Sequence, residues 1–290
     1  MIENSNSLPE KSINEKLPKH WDITNDGSNF ENLLNHIYNT TNFKKFLFKA
    51  LNPDIFTYVP GGLTVVDIGA GVGWVSAYIA NLPTVKKLYI LEPSIERFEV
   101  IPNVLKNFGC NLSKVEILNQ DFNSIKLDSK IDVFVLCAAM HHCLDSDIDE
   151  LFHNIKKYSN DKKKYEYTDY LDRKNEITFT PKILIINEHY LNKFVLYKRY
   201  LYYCLNKIGL RKKNYDWNNN PVGPGNWNSH YYYDGEHNRT KKEIIKIFKK
   251  NNFNYQIQEF KYSLLDKKIY NHNFKALKPL IYYNAILTQK

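Results

Sequence analysis

Val65-Val66-Asp67-Ile68-Gly69-Ala70-Gly71-Val72-Gly73-Trp74 is the stretch on which the reading of the chain turns. The β-branched apolar run from Leu63 to Ile68 predicts a short buried strand. Glycines at alternate positions end it, and Trp74 to Asn81 reads as a helix. Glycine lets a backbone turn tightly and meet a ligand with no Cβ in the way. The helix N-terminus beyond the loop offers free N–H groups.

Such a loop serves more than one cofactor class. A dinucleotide-binding turn reads GxGxxG, with a pyrophosphate on the helix N-terminus. Counted from Gly69, its third glycine falls at position 74, which is Trp74. The loop is GxGxG instead, and the acid Asp67 precedes it. A carboxylate there repels pyrophosphate and suits a cofactor that carries an ammonium and a sulfonium. The GK[ST] of a Walker loop is absent.

Outward from the loop, strands and helices alternate. Lys87–Leu91 reads as a strand, Ser94–Phe108 as a helix, Val115–Leu118 as a strand, Asp132–Cys137 as a strand and Asp147–Tyr158 as an amphipathic helix. Ile183–Ile186 is a further buried strand, Lys241–Lys250 a helix, and Tyr255–Tyr262 and Leu280–Thr288 two late strands that pair antiparallel. Alternation of this kind predicts an α/β fold with a mostly parallel sheet and right-handed crossovers. Glu92 ends the second strand, 25 residues after Asp67, where a carboxylate can accept hydrogen bonds from ribose hydroxyls. Asp121 and Phe122 follow the third strand, placed to bond an adenine amino group and to pack on its ring.

Composition narrows the class. The chain has 290 residues, 43% of them hydrophobic and 24% charged, which fits one or two globular domains. Its cysteines, Cys110, Cys137, Cys143 and Cys204, form no CxxC pair, against a disulfide scaffold or zinc ribbon. The run Val133–Met140 is far shorter than the ~18 residues of a membrane span. The opening MIENSNSLPEKSINEKLP lacks the apolar core of a secretory signal, so the expectation is a soluble cytoplasmic protein without a membrane span. The net charge is +9, but only Arg97, Arg173, Arg199, Arg211 and Arg239 are arginines. Base and phosphate readers lean on arginine, so the lysines read as a solvated surface and nucleic acid is disfavoured as a partner. Lys162–Lys164 and Lys212–Lys213 are the candidates for a basic patch.

The ordered set strand–DxGxGxG–helix–strand–Glu–helix–strand–Asp resembles the class I S-adenosylmethionine-dependent methyltransferases, small-molecule branch, over roughly residues 63–290. Asp67, Gly69, Gly71 and Gly73 match the family's first motif, Glu92 its ribose-binding acid and Asp121 its adenine-contacting acid. Asp132-Val-Phe-Val-Leu-Cys-Ala-Ala-Met-His-His resembles the fourth-strand motif of that branch. The resemblance implies a Rossmann-like seven-stranded sheet with an antiparallel last strand, helices on both faces, and the cofactor S-adenosyl-L-methionine at the C-terminal strand ends. It adds Phe122 and Ala138 to the cofactor-binding residues. Residues 1–27 read as a flexible tail, 28–62 as an N-terminal helical cap and 63–290 as the methyltransferase domain, with a polar insertion at 159–180 and an aromatic-rich acceptor lid at 189–238. The family's Gly-Gly turn before the fifth strand is replaced by Thr180-Pro181-Lys182, and no Asn-Pro-Pro-Tyr follows the fourth strand.

Methyl transfer needs an aligned nucleophile and a dry site, and a hydroxyl acceptor gains from a base. His141, His142, Glu188 and His189 stand just past the fourth and fifth strands as candidate bases; imidazole accepts a proton near neutrality. Capping and packing are the competing role for His142. His230 and Tyr233, in an aromatic stretch before the late helix, are the candidate acceptor contacts. No metal ligand is assigned, although a cation held by the His and Glu residues is conceivable, since catechol-type methyltransferases use one. The expected reaction is O-methylation of a small molecule. RNA or protein methylation and a non-catalytic cofactor-binding scaffold are the alternatives.

Overall fold

A computed structural model of the protein describes residues 30–35, 37–38, 47, 55–57, 59–143, 145–168, 173–191, 239–260 and 280–290. The tail 1–27 and most of the lid lie outside the described residues.

In chain order the elements are α1 (Phe30–Asn35), β1 (Leu63–Ile68), α2 (Trp74–Ala80), β2 (Val85–Leu91), α3 (Ile95–Asn107), β3 (Val115–Leu118), β4 (Val133–Cys137), α4 (Asp145–Tyr158), β5 (Lys163–Thr168), β6 (Lys174–Phe179), β7 (Lys182–Leu191), α5 (Lys241–Lys250), β8 (Phe253–Phe260) and β9 (Leu280–Gln289). Short 3₁₀ turns occupy Leu112–Lys114 and Met140–His142. The main sheet is seven-stranded in the order β3-β2-β1-β4-β7-β9-β8. β1, β2, β3, β4 and β7 run parallel, and β9 is antiparallel to both β7 and β8. This is the α/β architecture that the alternating pattern predicts.

Both faces of the sheet are covered, and the side chains divide between them with the period of two that a strand imposes. Val65, Leu88, Ile90, Val133, Val135, Leu184 and Ile186 join the core under α2 and α3. Val66, Ile68, Tyr89, Phe134, Leu136, Ile183 and Ile185 join the core under α4 and α5. Strands buried on both sides lose the polar alternation of a surface strand, which is why β1 and β4 read as continuous apolar runs.

The polar stretch 159–180 holds a two-stranded antiparallel hairpin, β5 with β6. Phe179 is buried in the α2–α3 core and Tyr165 packs against it, so a hydrophilic sequence is anchored by alternate aromatic positions. Asp132, at the start of β4, ties the foot of the sheet together. Its Oδ2 accepts from the Thr64 amide at 2.9 Å and its Oδ1 from Asn160 Nδ2 at 2.6 Å. Its backbone adds two bonds, donating to Thr64 O at 2.9 Å and accepting from the Lys182 amide at 3.0 Å.

Asp132→Ala leaves the Thr64 N–H buried without its acceptor, and the expected loss in chemical denaturation is ~1–3 kcal/mol. Asp132→Asn retains an acceptor oxygen and should cost distinctly less; equal losses would show that the carboxylate is not the tie.

Candidate active site

The loop after β1 is built on left-handed backbone. Gly69, Gly71 and Gly73 have φ of 70°, 59° and 83°. The amides of Gly69 and Ala70 both donate to Leu91 O, at 2.9 and 3.0 Å, so the loop is stitched to the end of β2. A Cβ on Gly69 would stand 2.9 Å from Ala139 Cβ, with the Phe122 ring at 3.5 Å. One glycine thus brings the loops after β1, β3 and β4 together. Gly71 is different, with nothing within 4 Å of where its Cβ would be. Its loop face is open for a ligand to approach the backbone.

Acids line this edge. Glu92 is buried at the end of β2 and its two oxygens accept from the Gly71 amide at 2.7 Å and the Ser94 amide at 3.0 Å. An ionised carboxylate has about four lone-pair directions, so acceptor capacity for ribose hydroxyls remains. Burial pushes the Glu92 carboxyl up, against the amides and Arg97, which favour its charge. Asp67 lies wholly inside β1. Ser76 Oγ, from α2, donates to its Oδ2 at 2.6 Å, while its Oδ1 is buried with no hydrogen-bond partner among the described residues. Burial pushes this carboxyl up from 3.8 to about 7; the Ser76 bond opposes the shift and nearby Glu92 adds to it. Asp121 bonds its own turn, Oδ1 accepting from the amides of Asn123 at 3.0 Å and Ser124 at 2.7 Å. That turn holds the Phe122 ring over Gly69.

The second group stands where β4 and β7 end. Ala138 has φ of 50°, a strained value for a residue with a Cβ. Its amide donates to Ile186 O at 2.8 Å, and the 3₁₀ turn Met140–His142 follows at once. Glu188 is buried beneath that turn. Its Oε1 accepts from the Met140 amide at 2.6 Å and its Oε2 meets His141 Nδ1 at 2.9 Å. Burial raises the Glu188 carboxyl, with His189, the Met140 amide and His142 opposing it. The His141 ring centre is 4.6 Å from that of His189 and 4.2 Å from that of His142. His141 and His189 are buried, whereas His142 is exposed.

Glu188 and His189 are consecutive, and in a regular strand they would point to opposite faces. A bulge lies just before them, and from Glu188↔Tyr283 to His189↔Tyr282 the pairing is regular. The register with β9 passes from Ile185↔Ala285 to Glu188↔Tyr283, three residues against two. Asn187 sits in the bulge with φ of 52°, its amide donating to Asn284 Oδ1 at 2.9 Å. Bulges re-aim side chains, and they recur beside active sites. Ligand-type atoms of His141, Glu188 and His189, from the turn after β4 and the end of β7, all lie within 4.8 Å of one another.

The structure therefore gathers Asp67, Gly69, Gly71, Glu92 and Phe122 at one set of strand ends, with Ala138 leading to His141, Glu188 and His189 beside them. His230 and Tyr233 lie outside the described residues. Sequence reading misses Ser76, Asn187, Asn284 and the buried Arg239, whose Nη2 donates to Cys143 O at 2.6 Å. Ser76 and Asn284 leave a trace, each a polar residue inside an otherwise apolar element.

Residues 65–161 match the family model described as "Methyltransferase domain". No curated protein matches the sequence. Among solved structures, the N-methyltransferase NodS from Bradyrhizobium japonicum WM9 in complex with S-adenosyl-l-homocysteine is 9% identical with a TM-score of 0.51; the similarity covers 93% of this chain and 95% of that one. Magnesium protoporphyrin IX methyltransferase from Synechocystis PCC 6803 is 12% identical with a TM-score of 0.49, over 86% of this chain and 82% of that one. The plantazolicin methyltransferase BpumL is 15% identical with a TM-score of 0.48, over 94% of each chain. The NodS likeness bears on the fold alone.

Between 3.8 and about 7 the folded protein holds a proton on Asp67 that the unfolded chain has released. Stability therefore falls as pH rises through that window, by up to ~4 kcal/mol. Asp67→Asn should flatten this part of the profile in denaturant titrations run from pH 4 to pH 7; an unchanged slope would refute the assignment to Asp67.

Proposed function

We propose that the chain, whose residues 65–161 match a methyltransferase-domain model, is a class I S-adenosylmethionine-dependent methyltransferase that methylates an oxygen of a small-molecule acceptor. The observation that carries the reading is the adjacency of the two groups at the strand ends. Gly69 abuts Ala139, two residues before His141. The loop that would hold the cofactor and the side chains that would receive the acceptor's proton are thus neighbours.

The residues fit the cofactor. The buried Oδ1 of Asp67, without a partner among the described residues, and the face at Gly71 that no described residue fills suit a ligand that carries an ammonium and must lie close to the backbone. Glu92 is placed for the ribose hydroxyls and Phe122 for the adenine ring. When bound, S-adenosylmethionine supplies a methyl carbon activated by its sulfonium and a neutral leaving group. The protein's share is position, dryness and proton handling. Glu188, held by the Met140 amide, fixes the ring of His141. Held in this way, the His141 imidazole is the group proposed to take a proton from an acceptor hydroxyl. His189 crowds the same space and helps to exclude water. His230 and Tyr233 remain the proposed acceptor contacts, in a lid over 189–238. No described helix is long and apolar enough to cross a membrane, which agrees with an acceptor met in solution.

Calorimetric titration of the purified protein with S-adenosylmethionine, S-adenosylhomocysteine and NAD tests the cofactor. One equivalent of either sulfur ligand should bind and NAD should not. Glu92→Gln should weaken binding about ten- to hundred-fold, as expected when hydrogen bonds to a charged group are lost. Absence of binding to folded protein would refute the cofactor reading. Incubation of cell extract with methyl-labelled cofactor tests the acceptor class. Label should enter the low-molecular-weight fraction; label in RNA or protein would overturn the small-molecule reading, and no label anywhere would favour a scaffold.

A further inference from the structure

We infer that His141, Glu188 and His189 form a binding site for one divalent transition-metal ion of the zinc class. The role given to the ion rests on the methyltransferase reading; the existence of the site does not.

The carrying observation is the convergence of three buried side chains, His141, Glu188 and His189, whose ligand-type atoms all lie within 4.8 Å of one another. A regular strand would send either Glu188 or His189 to the opposite face, and a base with its orienting carboxylate needs only His141 and Glu188. Both consecutive side chains nonetheless reach His141, and just before them Asn187 is held at a bulge in a left-handed conformation, φ of 52°. Such a conformation costs ~1–3 kcal/mol and persists where its surroundings enforce it, here through the Asn284 side chain bonding the Asn187 amide.

Spacing and chemistry agree. Zinc holds imidazole nitrogen and carboxylate oxygen at about 2.0–2.2 Å, so neighbouring ligand atoms on one ion stand roughly 3 Å apart. His141 Nδ1 and Glu188 Oε2 are 2.9 Å apart, and the widest separation in the triad is within 4.8 Å. Closing the triad on an ion needs movements of less than about 1 Å. Two imidazoles and a carboxylate select zinc, cobalt or manganese over magnesium and calcium, which prefer oxygen alone. All three side chains are buried, and a buried charge costs free energy unless an opposite charge meets it. The Met140 amide on Glu188 Oε1 and the Tyr282 ring 5.7 Å from that of His189 orient the ligands from behind.

Three protein ligands leave a position open, the arrangement of a catalytic rather than a structural zinc. An acceptor hydroxyl taking that position loses its proton to water, and the O–H electron pair stays on the oxygen beside the cation. The side chains that would otherwise act as base and spacer then act as ligands.

The test uses full-length protein stripped with a chelator and titrated with Zn²⁺ by calorimetry and with Co²⁺ by visible absorption, each with and without S-adenosylhomocysteine. One equivalent of Zn²⁺ should bind, and Co²⁺ should show the intense d–d bands of a four- or five-coordinate ion. His189→Ala and His141→Ala should each weaken metal binding at least ~10-fold while S-adenosylhomocysteine still binds, which also reports that the variants fold. His153→Ala, an exposed histidine on α4, should change nothing. Failure to bind metal stoichiometrically, or binding that survives both ligand substitutions, overturns the site. Failure of the wild type to bind S-adenosylhomocysteine overturns the methyltransferase reading instead, and leaves the metal titration to be judged by itself.

Discussion

A parallel sheet must satisfy backbone amides where its strands end and its loops begin, and here carboxylates at the strand ends meet that demand. Glu92 accepts from the amides of Gly71 and Ser94, Glu188 from Met140, and Asp121 from Asn123 and Ser124. Asp132 does the same at the opposite edge, for Thr64. Each such bond is charge-assisted and stronger than a neutral one. The loops of the site therefore hang from acids rooted in the sheet. All of these acids but Asp132 stand at the edge where a cationic ligand would bind, so one group of side chains serves both the scaffold and the chemistry.

The cost of that economy is visible in the backbone and in the protons. Ala138 and Asn187 are non-glycine residues in left-handed conformation, and they flank the His141–Glu188 contact from β4 and β7. Asp67 is buried deeply enough to hold a proton near neutrality, and half of its carboxylate has no partner among the described residues. Strain and unmet polarity thus occur beside the site, but the opposite edge carries them too: Asn252 has φ of 65°, and Thr84 Oγ1 and Gln289 Nε2 are buried without partners among the described residues.

The strands β1, β2, β3 and β4 were legible because each is short, mostly apolar and bounded by glycine, proline or a charged turn. β1 and β3 agree with the sequence reading residue for residue, and β7 runs well beyond Ile183–Ile186 because its polar end, Asn187-Glu188-His189, is still paired to β9. The glycine loop and Glu92 were legible as ordered motifs. The bulge was not: Asn187 carries no mark in the sequence that separates it from any other asparagine. The hairpin at 163–179 was hidden as well, since lysines and glutamates on its outer face conceal the alternation of Tyr165 and Phe179. Arg239 and Asn284 meet their partners only through long-range contacts that no local pattern records.

The position of β9 has a consequence for biosynthesis. It lies between β7 and β8, yet it is the last strand in chain order. During translation β7 is made first, and its outer edge waits with open amides and carbonyls while residues 192–279 follow. β8 emerges in that interval and has no place in the sheet until β9 arrives to bridge it. An unpaired edge of this kind invites pairing with another chain, and closure over such a long separation is slow. The nascent protein thus passes through a vulnerable period that ends only when Leu280–Gln289 clears the ribosome, and a cell making it quickly would need chaperones most at that stage.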